Sequence, residues 1–257
     1  MGLADYDALS FDCYGTLIDW ETGIGTVLDE WAADVGLDLD RERLLTAYAG
    51  QEARTLRESP TMLYPEALAT SMRALGDELA VPVSDAWAAR FGASVPDWPA
   101  FEDSQEALVR LGEHFSLIIL SNVDRSSFEG SRRRLGVDFD HVITAQDVGS
   151  YKPAPRNFDA LEELRVRQGI GEGRLLHVAQ SLFHDHVPVK RIGLDSVWIN
   201  RRHDRPGWGA TPDPGAEAHP DWEFPSMAAF ADAVDSSKPQ PTTPYSRSPA
   251  SPSPGTM

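Results

Sequence analysis

The sequence contains a single cysteine, Cys13, among its 257 residues. One cysteine excludes an intramolecular disulfide framework, so we expect a protein of the reducing cytoplasm. The N-terminal residues lack the basic stretch with which a secretory signal peptide begins, and this also favours a cytoplasmic location. No apolar run approaches the roughly 20 residues that a membrane-spanning helix requires. The sequence therefore predicts a cytoplasmic protein with no membrane partner.

Basic residues are scarce: 23 lysines and arginines stand against 40 aspartates and glutamates, which gives a formal net charge of −17. No basic stripe is present to neutralise the phosphates of a nucleic acid, so nucleic acid is not an expected partner. We interpret the acidity as a source of solubility. An anionic small molecule would need a local positive pocket within this acidic surface.

Five short apolar runs have the continuous pattern of strands that are covered on both faces. They are Ala8–Phe11, Leu117–Leu120, His141–Thr144, Leu175–Ala179 and Ser196–Ile199. Stretches with helical character separate the later runs, namely Ser104–Gly112, Arg125–Leu135 and Asn157–Arg167. Strands that alternate with helices are typical of an α/β fold with a doubly wound parallel sheet, which is our prediction for the core.

The long segment between the first two runs has a different pattern. Its apolar residues Ile24, Val27, Leu28 and Trp31 recur at the spacing of one helical face. We therefore predict that a helical cap domain is inserted over residues 20–98, with boundaries good to ~2–4 residues.

The remaining segments complete the predicted domain organisation. Residues 1–19 and 99–235 form the predicted Rossmann-like catalytic core, with a surface loop over 203–221 before a last helix near Ser226–Val234. Residues 236–257 are rich in proline and serine and contain no acidic residue. Such a segment buries too little apolar surface to offset the entropy of ordering, so we predict a disordered tail.

Polar residues follow the predicted strands at four places along the chain. Ligand sites in open α/β sheets lie beyond the carboxyl ends of the strands, so we expect these groups to meet there. Each group alone is ordinary, because such residues commonly form turns and helix caps. Their order and spacing together favour a catalytic site. The groups are Asp12 to Thr16, Ser121-Asn122, Lys152-Pro153, and Gln180-Ser181 with Asp185.

Two other motifs carry weaker signals. His184-Asp185-His186 contains metal-ligating residue types, but a spacing of two on a helix splays the histidines apart. Cys13 lacks the arginine that a cysteine phosphatase needs six residues later, where Asp19 stands, so we interpret it as a buried strand-end cysteine. We expect neither a metal nor another cofactor.

The segment Phe11-Asp12-Cys13-Tyr14-Gly15-Thr16 resembles the nucleophile loop of the haloacid dehalogenase superfamily. That loop usually reads Asp-x-Asp-Gly-Thr, and Tyr14 stands in place of its second aspartate. The resemblance extends over about residues 5–235. Within the superfamily the chain is most similar to the two-domain L-2-haloacid dehalogenases. Three segments carry that similarity: Leu120-Ser121-Asn122, Tyr151-Lys152-Pro153-x-Pro155-Arg156 and Trp198-Ile199-Asn200-Arg201.

The resemblance implies a role for each polar group. Asp12 is the expected nucleophile, which forms a covalent ester with a substrate carbon. Lys152 is expected to keep Asp12 ionised and in position, with Asp185 as its partner. Thr16 is expected to steady the Asp12 carboxylate, and Ser121 to hold a substrate carboxylate or the leaving group. The residues expected to line the substrate pocket are Tyr14, Trp20, Arg54, Asn122 and Ser181.

Tyr14 distinguishes two reactions of the superfamily. Its phosphatases use the aspartate at this position as general acid for an alkoxide leaving group, and a tyrosine with an ordinary pKa of ~10 replaces it poorly. A halide leaves without a proton. The phosphatases also bind Mg²⁺ through carboxylates, and their usual Gly-Asp-Ser reads Ala179-Gln180-Ser181 here. We therefore predict a metal-independent hydrolase that acts on small anionic 2-haloacids.

Three positions depart from the dehalogenase pattern. Ala179-Gln180-Ser181 replaces Ser-Ser-Asn, Phe158 replaces a tyrosine, and Ala49-Gly50-Gln51-Glu52 stands where the cap usually supplies an arginine. Arg54 or Arg57 is the expected substitute for that arginine. Two alternatives stay open: a Mg²⁺-dependent small-molecule phosphatase, and a non-catalytic binding protein on the same fold. The oligomeric state is open between a monomer and a homodimer.

Overall fold

The computed structural model describes residues 1–205, 207, 211–215 and 218–237. Its centre is a parallel sheet of six strands in the order β3-β2-β1-β4-β5-β6. The strands are β1 Ala8–Phe11, β2 Ser116–Ser121, β3 His141–Thr144, β4 Leu175–Ala179, β5 Asp195–Ile199 and β6 Trp222–Phe224. The prediction of an α/β fold with a doubly wound parallel sheet is confirmed.

Ten α-helices accompany these strands in the described part of the chain. Four of them, which we call the cap helices, lie between β1 and β2: α1 Trp20–Val35, α2 Arg41–Glu58, α3 Tyr64–Glu78 and α4 Asp85–Gly92. The others are α5 Ser104–Gly112, α6 Arg125–Leu135, α7 Ala145–Val148, α8 Pro155–Arg167, α9 Val187–Arg191 and α10 Met227–Ser237. A π-helical turn, Leu182–His186, precedes α9. None of the described helices is long and apolar enough to cross a membrane.

Helix α1 shows how local sequence sets an element. Asp19 caps its first turn, because the Asp19 carboxylate accepts a hydrogen bond from the Thr22 amide at 3.0 Å. Gly36 ends the helix in the left-handed region at φ 69°. The predicted apolar stripe, including Trp31, is buried. The helical expectation for the segment between β1 and β2 is therefore confirmed, while its status as a separate domain stays a prediction.

The sheet is covered on both faces, as continuous apolar strands require. Alternate residues of β1 show this directly: Leu9 and Phe11 pack in the larger apolar cluster, which also includes residues of the cap helices. Ala8 packs in a second cluster on the opposite face with Ile118 and Phe158. All four residues of β1 are buried, so the strand end that carries Asp12 is held between two apolar layers.

The edge strand β6 was not among the predicted strands. It has only three residues, Trp222–Phe224, and none of them is fully buried. So short a segment lacks the apolar run that identifies a covered strand. Of the predicted disordered tail, Ser236 and Ser237 belong to α10 and the rest lies outside the described residues.

The strand order places a topological switch next to β1. Strands β2 and β3 lie on one side of β1, and the chain then crosses to the other side, where β4, β5 and β6 lie. Because all strands are parallel, the residues that follow β1 and β4 emerge side by side. Such a switch point is the usual ligand site of an open α/β sheet.

Candidate active site

Asp12 directly follows β1 and is 5% exposed. Thr16 Oγ1 donates a hydrogen bond to Asp12 Oδ2 at 2.7 Å, and Lys152 Nζ donates to Asp12 Oδ1 at 2.9 Å. Gly15 lies in the turn between Asp12 and Thr16 and takes φ +93°. A Cβ at this position would lie 3.0 Å from both the Trp20 indole nitrogen and Gln180 Oε1. The turn therefore needs glycine, and both Asp12 oxygens have fixed partners.

Lys152 uses all three of its ammonium protons within the protein. Besides Asp12, it donates to Asp185 Oδ1 at 2.7 Å and to the Leu120 carbonyl at 2.9 Å. Burial alone would lower the pKa of Lys152, but the two carboxylates outweigh it and hold that pKa above its usual value. Burial raises the pKa of Asp12, and the Lys152 charge opposes this rise. Lys152 is thus a permanent cation for the nucleophile.

A buried hydrogen-bonded chain extends behind Lys152. Asp185 Oδ1 lies 3.0 Å from His177 Nε2, and His177 Nδ1 lies 2.9 Å from Ser10 Oγ. Burial would raise the pKa of Asp185, but Lys152 and His177 keep it well below the ordinary range. Sequence reasoning missed His177. Its signal is a polar ring in the middle of the apolar strand Leu175–Ala179, where it needs a buried partner.

The backbone holds Thr16 in place. The Gln180 amide donates to Thr16 Oγ1 at 2.8 Å, so the Thr16 proton is directed toward Asp12. Arg201 Nη2 donates to the Thr16 carbonyl at 2.8 Å. The Arg201 guanidinium lies over Phe101, 4.0 Å from the ring centroid, and pairs with Asp103 at 2.8 Å. Arg201 is therefore a positioning residue for the nucleophile loop.

Asn122 positions the lysine loop rather than presenting a free amide. Its Oδ1 accepts from the Lys152 amide at 2.6 Å, and its Nδ2 donates to the Lys152 carbonyl at 3.1 Å. The neighbouring Ser121 is 2% exposed, and its hydroxyl has no hydrogen-bond partner among the described residues. Asn122 lines the cavity over Asp12, whereas Ser121, which was expected to hold the substrate, is not among its lining residues.

Ser181 and His184 form one unit at the end of β4. Ser181 Oγ accepts from the His184 amide at 3.0 Å and lies 3.1 Å from His184 Nδ1. Burial lowers the pKa of His184 to about 4, so its ring is neutral at pH 7. Sequence reasoning considered this histidine only as a metal ligand, whereas the structure places it at the cavity beside Asp185.

A cavity of about 70 Å³ lies over Asp12, between the strand ends and the cap helices. Seven of the predicted residues line it: Asp12, Tyr14, Trp20, Asn122, Lys152, Ser181 and Asp185. Thr16 is buried behind Asp12. The cap contributes Ala49, Glu52, Ala53, Leu56 and Tyr64, which sequence reasoning did not assign. The cavity suits a compact substrate.

The structure does not bring Arg54 to this cavity. The cavity face of α2 consists of Ala49, Glu52, Ala53 and Leu56, at the spacing of one helical stripe. Arg54 lies off that stripe and is exposed. The expectation that Arg54 lines the substrate pocket is therefore corrected. The charged residue of α2 that lines the cavity is Glu52.

Tyr14 is half-buried, and its hydroxyl is held by another side chain. Its OH lies 2.8 Å from Ser131 Oγ, and its ring packs edge-on against Trp98 at 5.5 Å between centroids. Burial raises the pKa of Tyr14 well above its ordinary value. Tyr14 is consequently a weaker proton donor than even an exposed tyrosine, which suits a leaving group that needs no proton.

The donor set does not fit a divalent metal. Asp12 Oδ1 and Asp185 Oδ1 each accept a Lys152 proton, and the described residues contain no group of three or more His, Cys, Asp or Glu arranged for a metal. His186 binds the Ala179 carbonyl at 3.0 Å, away from His184. The two histidines of the His-Asp-His motif therefore serve separate contacts.

Comparisons with known proteins found similar sequences and similar folds. A family model described as a haloacid dehalogenase-like hydrolase matches residues 6–169. The chain is 25% identical over 233 residues to an (S)-2-haloacid dehalogenase of Pseudomonas sp. (strain YL), across 88% of this chain and 94% of that protein.

Solved structures share the fold. One is an L-2-haloacid dehalogenase from Xanthobacter autotrophicus with chloropropionic acid covalently bound, with a TM-score of 0.70, 17% identity, and coverage of 91% of this chain and 100% of that one. Another is a HAD-hydrolase from Bacillus subtilis bound to magnesium, with a TM-score of 0.70, 19% identity, and coverage of 90% and 99%.

Proposed function

Because the chain belongs to the haloacid dehalogenase-like hydrolases, we propose that it hydrolyses the carbon–halogen bond of short 2-haloacids through a covalent ester of Asp12. One observation carries the proposal: a buried carboxylate at the floor of a small cavity, with one oxygen on Thr16 and the other on Lys152. Its relatives include an (S)-2-haloacid dehalogenase, which favours this substrate class.

In the first proposed step, an Asp12 oxygen attacks carbon 2 of the substrate. The new carbon–oxygen bond forms as the carbon–halogen bond breaks, and the halide leaves with the bonding electrons. No proton is transferred. Thr16 and Lys152 hold the carboxylate in the attacking orientation, which supplies the positional part of the rate enhancement.

In the second proposed step, water attacks the carbonyl carbon of the Asp12 ester. The bond between that carbon and the oxygen attached to carbon 2 breaks. That oxygen, which came from Asp12, takes one proton of the water and leaves in the 2-hydroxyacid, the second proton is released, and Asp12 is regenerated with one oxygen from water. Negative charge develops on the ester carbonyl oxygen, where the Lys152 ammonium can stabilise it. The net reaction releases one proton and one halide ion.

A halide-release assay with both enantiomers of 2-chloropropionate tests the proposal, run beside a phosphatase assay with Mg²⁺. We expect halide release from one enantiomer and no phosphate release. Phosphate release that requires Mg²⁺ would favour the phosphatase, and binding of substrate without any turnover would favour the non-catalytic alternative. A cytoplasmic location, the division into core and cap, and the choice between monomer and homodimer stay predictions.

A further inference from the structure

Glu52 is the acidic group that the cap places over the nucleophile. It lies on the cavity face of α2 and is partly buried. Glu52 Oε1 accepts hydrogen bonds from the Tyr64 hydroxyl at 2.7 Å and from the Tyr48 hydroxyl at 3.3 Å. No described residue donates to Oε2, and no described Lys or Arg forms an ion pair with Glu52. One oxygen is therefore fixed, and the other has no partner among the described residues.

Within the described part of the chain, the cavity offers no free cation to an anionic substrate. Lys152 is the only Lys or Arg among the described residues that line it, and its three protons are donated to Asp12, Asp185 and the Leu120 carbonyl. The arginines Arg41, Arg201, Arg202 and Arg205 line an adjoining cleft of about 660 Å³ instead. An anion in the cavity must therefore be held by neutral donors.

An ionised Glu52 would conflict with that requirement. Asp12 and Asp185 already contribute two carboxylates to the lining, and Lys152 supplies one charge between them. A third carboxylate would repel a substrate carboxylate across a space of about 70 Å³. A protonated Glu52 has the opposite effect, because its hydroxyl is a hydrogen-bond donor on a residue that lines the cavity.

We propose that Glu52 binds the carboxylate of the substrate as a neutral carboxylic acid, with Oε1 held by Tyr48 and Tyr64 and Oε2–H donating to the anion. The proposal rests on the proposed function for the identity of the anion. It makes Glu52 a specificity-determining residue that admits a monoanionic acid when protonated and rejects it when ionised.

The surroundings of Glu52 support the neutral form. Burial raises the pKa of Glu52, and the Tyr64 and Tyr48 hydroxyls only partly oppose it. Glu52 in turn helps to raise the pKa values of both tyrosines and of Tyr151, after burial as the main cause. The titratable groups that line the same cavity from the strand ends are Asp12, Tyr14, Lys152, His184 and Asp185. Lys152 is the only cation among them.

Calorimetric titration with propionate, an unreactive analogue of a 2-haloacid, tests the proposal as a function of pH. Above the pKa of Glu52, binding must take up one proton, so the Kd should rise about tenfold per pH unit. Glu52→Gln keeps a neutral donor and should remove that rise, with a Kd within a few-fold of the wild-type value at low pH. Glu58→Gln removes a charge from the exposed end of the same helix and should titrate like the wild type.

Three results would overturn the proposal: a wild-type Kd independent of pH, an equal pH slope in Glu52→Gln, or no propionate binding at any pH. An equal slope in the variant would assign the proton to another titratable group of the cavity. Near-ultraviolet circular dichroism checks that Glu52→Gln keeps its fold. If propionate binds with the expected linkage but no halide is ever released, the proposed reaction fails while the role of Glu52 stands.

Discussion

The Lys152 ammonium lies 2.9 Å from Asp12 Oδ1, although the two residues are 140 positions apart in the sequence. Lys152 is 3% exposed and Asp12 is 5% exposed, so this ion pair is shielded from water and salt. The pair is the centre of the proposed chemistry, because Asp12 is the nucleophile and the Lys152 charge favours its ionised form.

Replacement of the nucleophile should abolish turnover. Asp12→Asn keeps the shape of the side chain but removes the attacking charge, so halide release should fall ~10⁴-fold or more. In ¹⁸O-water, a single wild-type turnover should label Asp12 before the product carries the isotope, as peptide mass spectrometry would show. More than a tenth of the wild-type activity in Asp12→Asn, or label in the product alone, would contradict the ester mechanism.

Removal of Lys152 should change both pH dependence and stability. Asp12 must be ionised to attack, so activity is lost as the pH falls through its pKa. Lys152→Ala removes the cation that opposes the burial-induced rise of that pKa, so the acid limb of the rate profile should move to higher pH. The variant also leaves buried carboxylates unpaired, which should cost about 3–5 kcal/mol of stability.

Lys190→Ala is the matched control for Lys152. Lys190 pairs with Asp221 near the protein surface and does not line the cavity. Its replacement should leave the acid limb where it is in the wild type. An unchanged acid limb in Lys152→Ala would show that this lysine does not govern the ionisation of Asp12.

Chelation should leave activity intact. The proposed step delivers its negative charge to a departing halide, whereas transfer of a phosphoryl group requires neutralisation that Mg²⁺ usually provides. Halide release should therefore proceed equally in excess EDTA and in added Mg²⁺. Loss of activity in EDTA and its return with Mg²⁺ would favour the phosphatase.

Arg201 should affect the rate of the chemical step more than substrate binding. It holds the Thr16 carbonyl and does not line the cavity over Asp12. Arg201→Ala should loosen the nucleophile loop and lower kcat roughly 10-fold to 100-fold, since small misplacements of reacting groups are costly. KM should change little. The control variant Arg205→Ala, at an exposed residue, should leave kcat and KM unchanged. A rise of KM in Arg201→Ala as large as the fall of kcat would instead indicate that Arg201 acts in substrate binding.

The sequence predicted most of the sheet because its strands are marked by local composition. Ala8–Phe11 and Leu175–Ala179 appear in the structure with the predicted bounds. The meeting of Asp12, Lys152 and Asp185 was also predictable, since the ends of parallel strands share one edge of a sheet. No knowledge of how side chains pack was required for that inference.

The roles of His177, Arg201 and Glu52 could not be predicted in the same way. Each depends on a contact that local sequence does not encode. The pairing of β1 with β4 brings His177 to Ser10, and Arg201 reaches Thr16 across the sheet edge. Arg54 and Glu52 are two positions apart, and only the rotation of α2 against the core decides that Glu52 faces the cavity.

The cavity wall has a consequence for how this protein can change. Asp12, Thr16 and Lys152, which are assigned to bond making or breaking, all lie outside the cap helices, whereas Ala49, Ala53 and Leu56 of α2 contribute only side-chain bulk. Exchanges at these three positions can reshape the space above Asp12 without touching its partners. Selection, in nature or in the laboratory, can therefore change which acids fit the cavity through substitutions in one helix, while the residues that carry out the reaction stay the same.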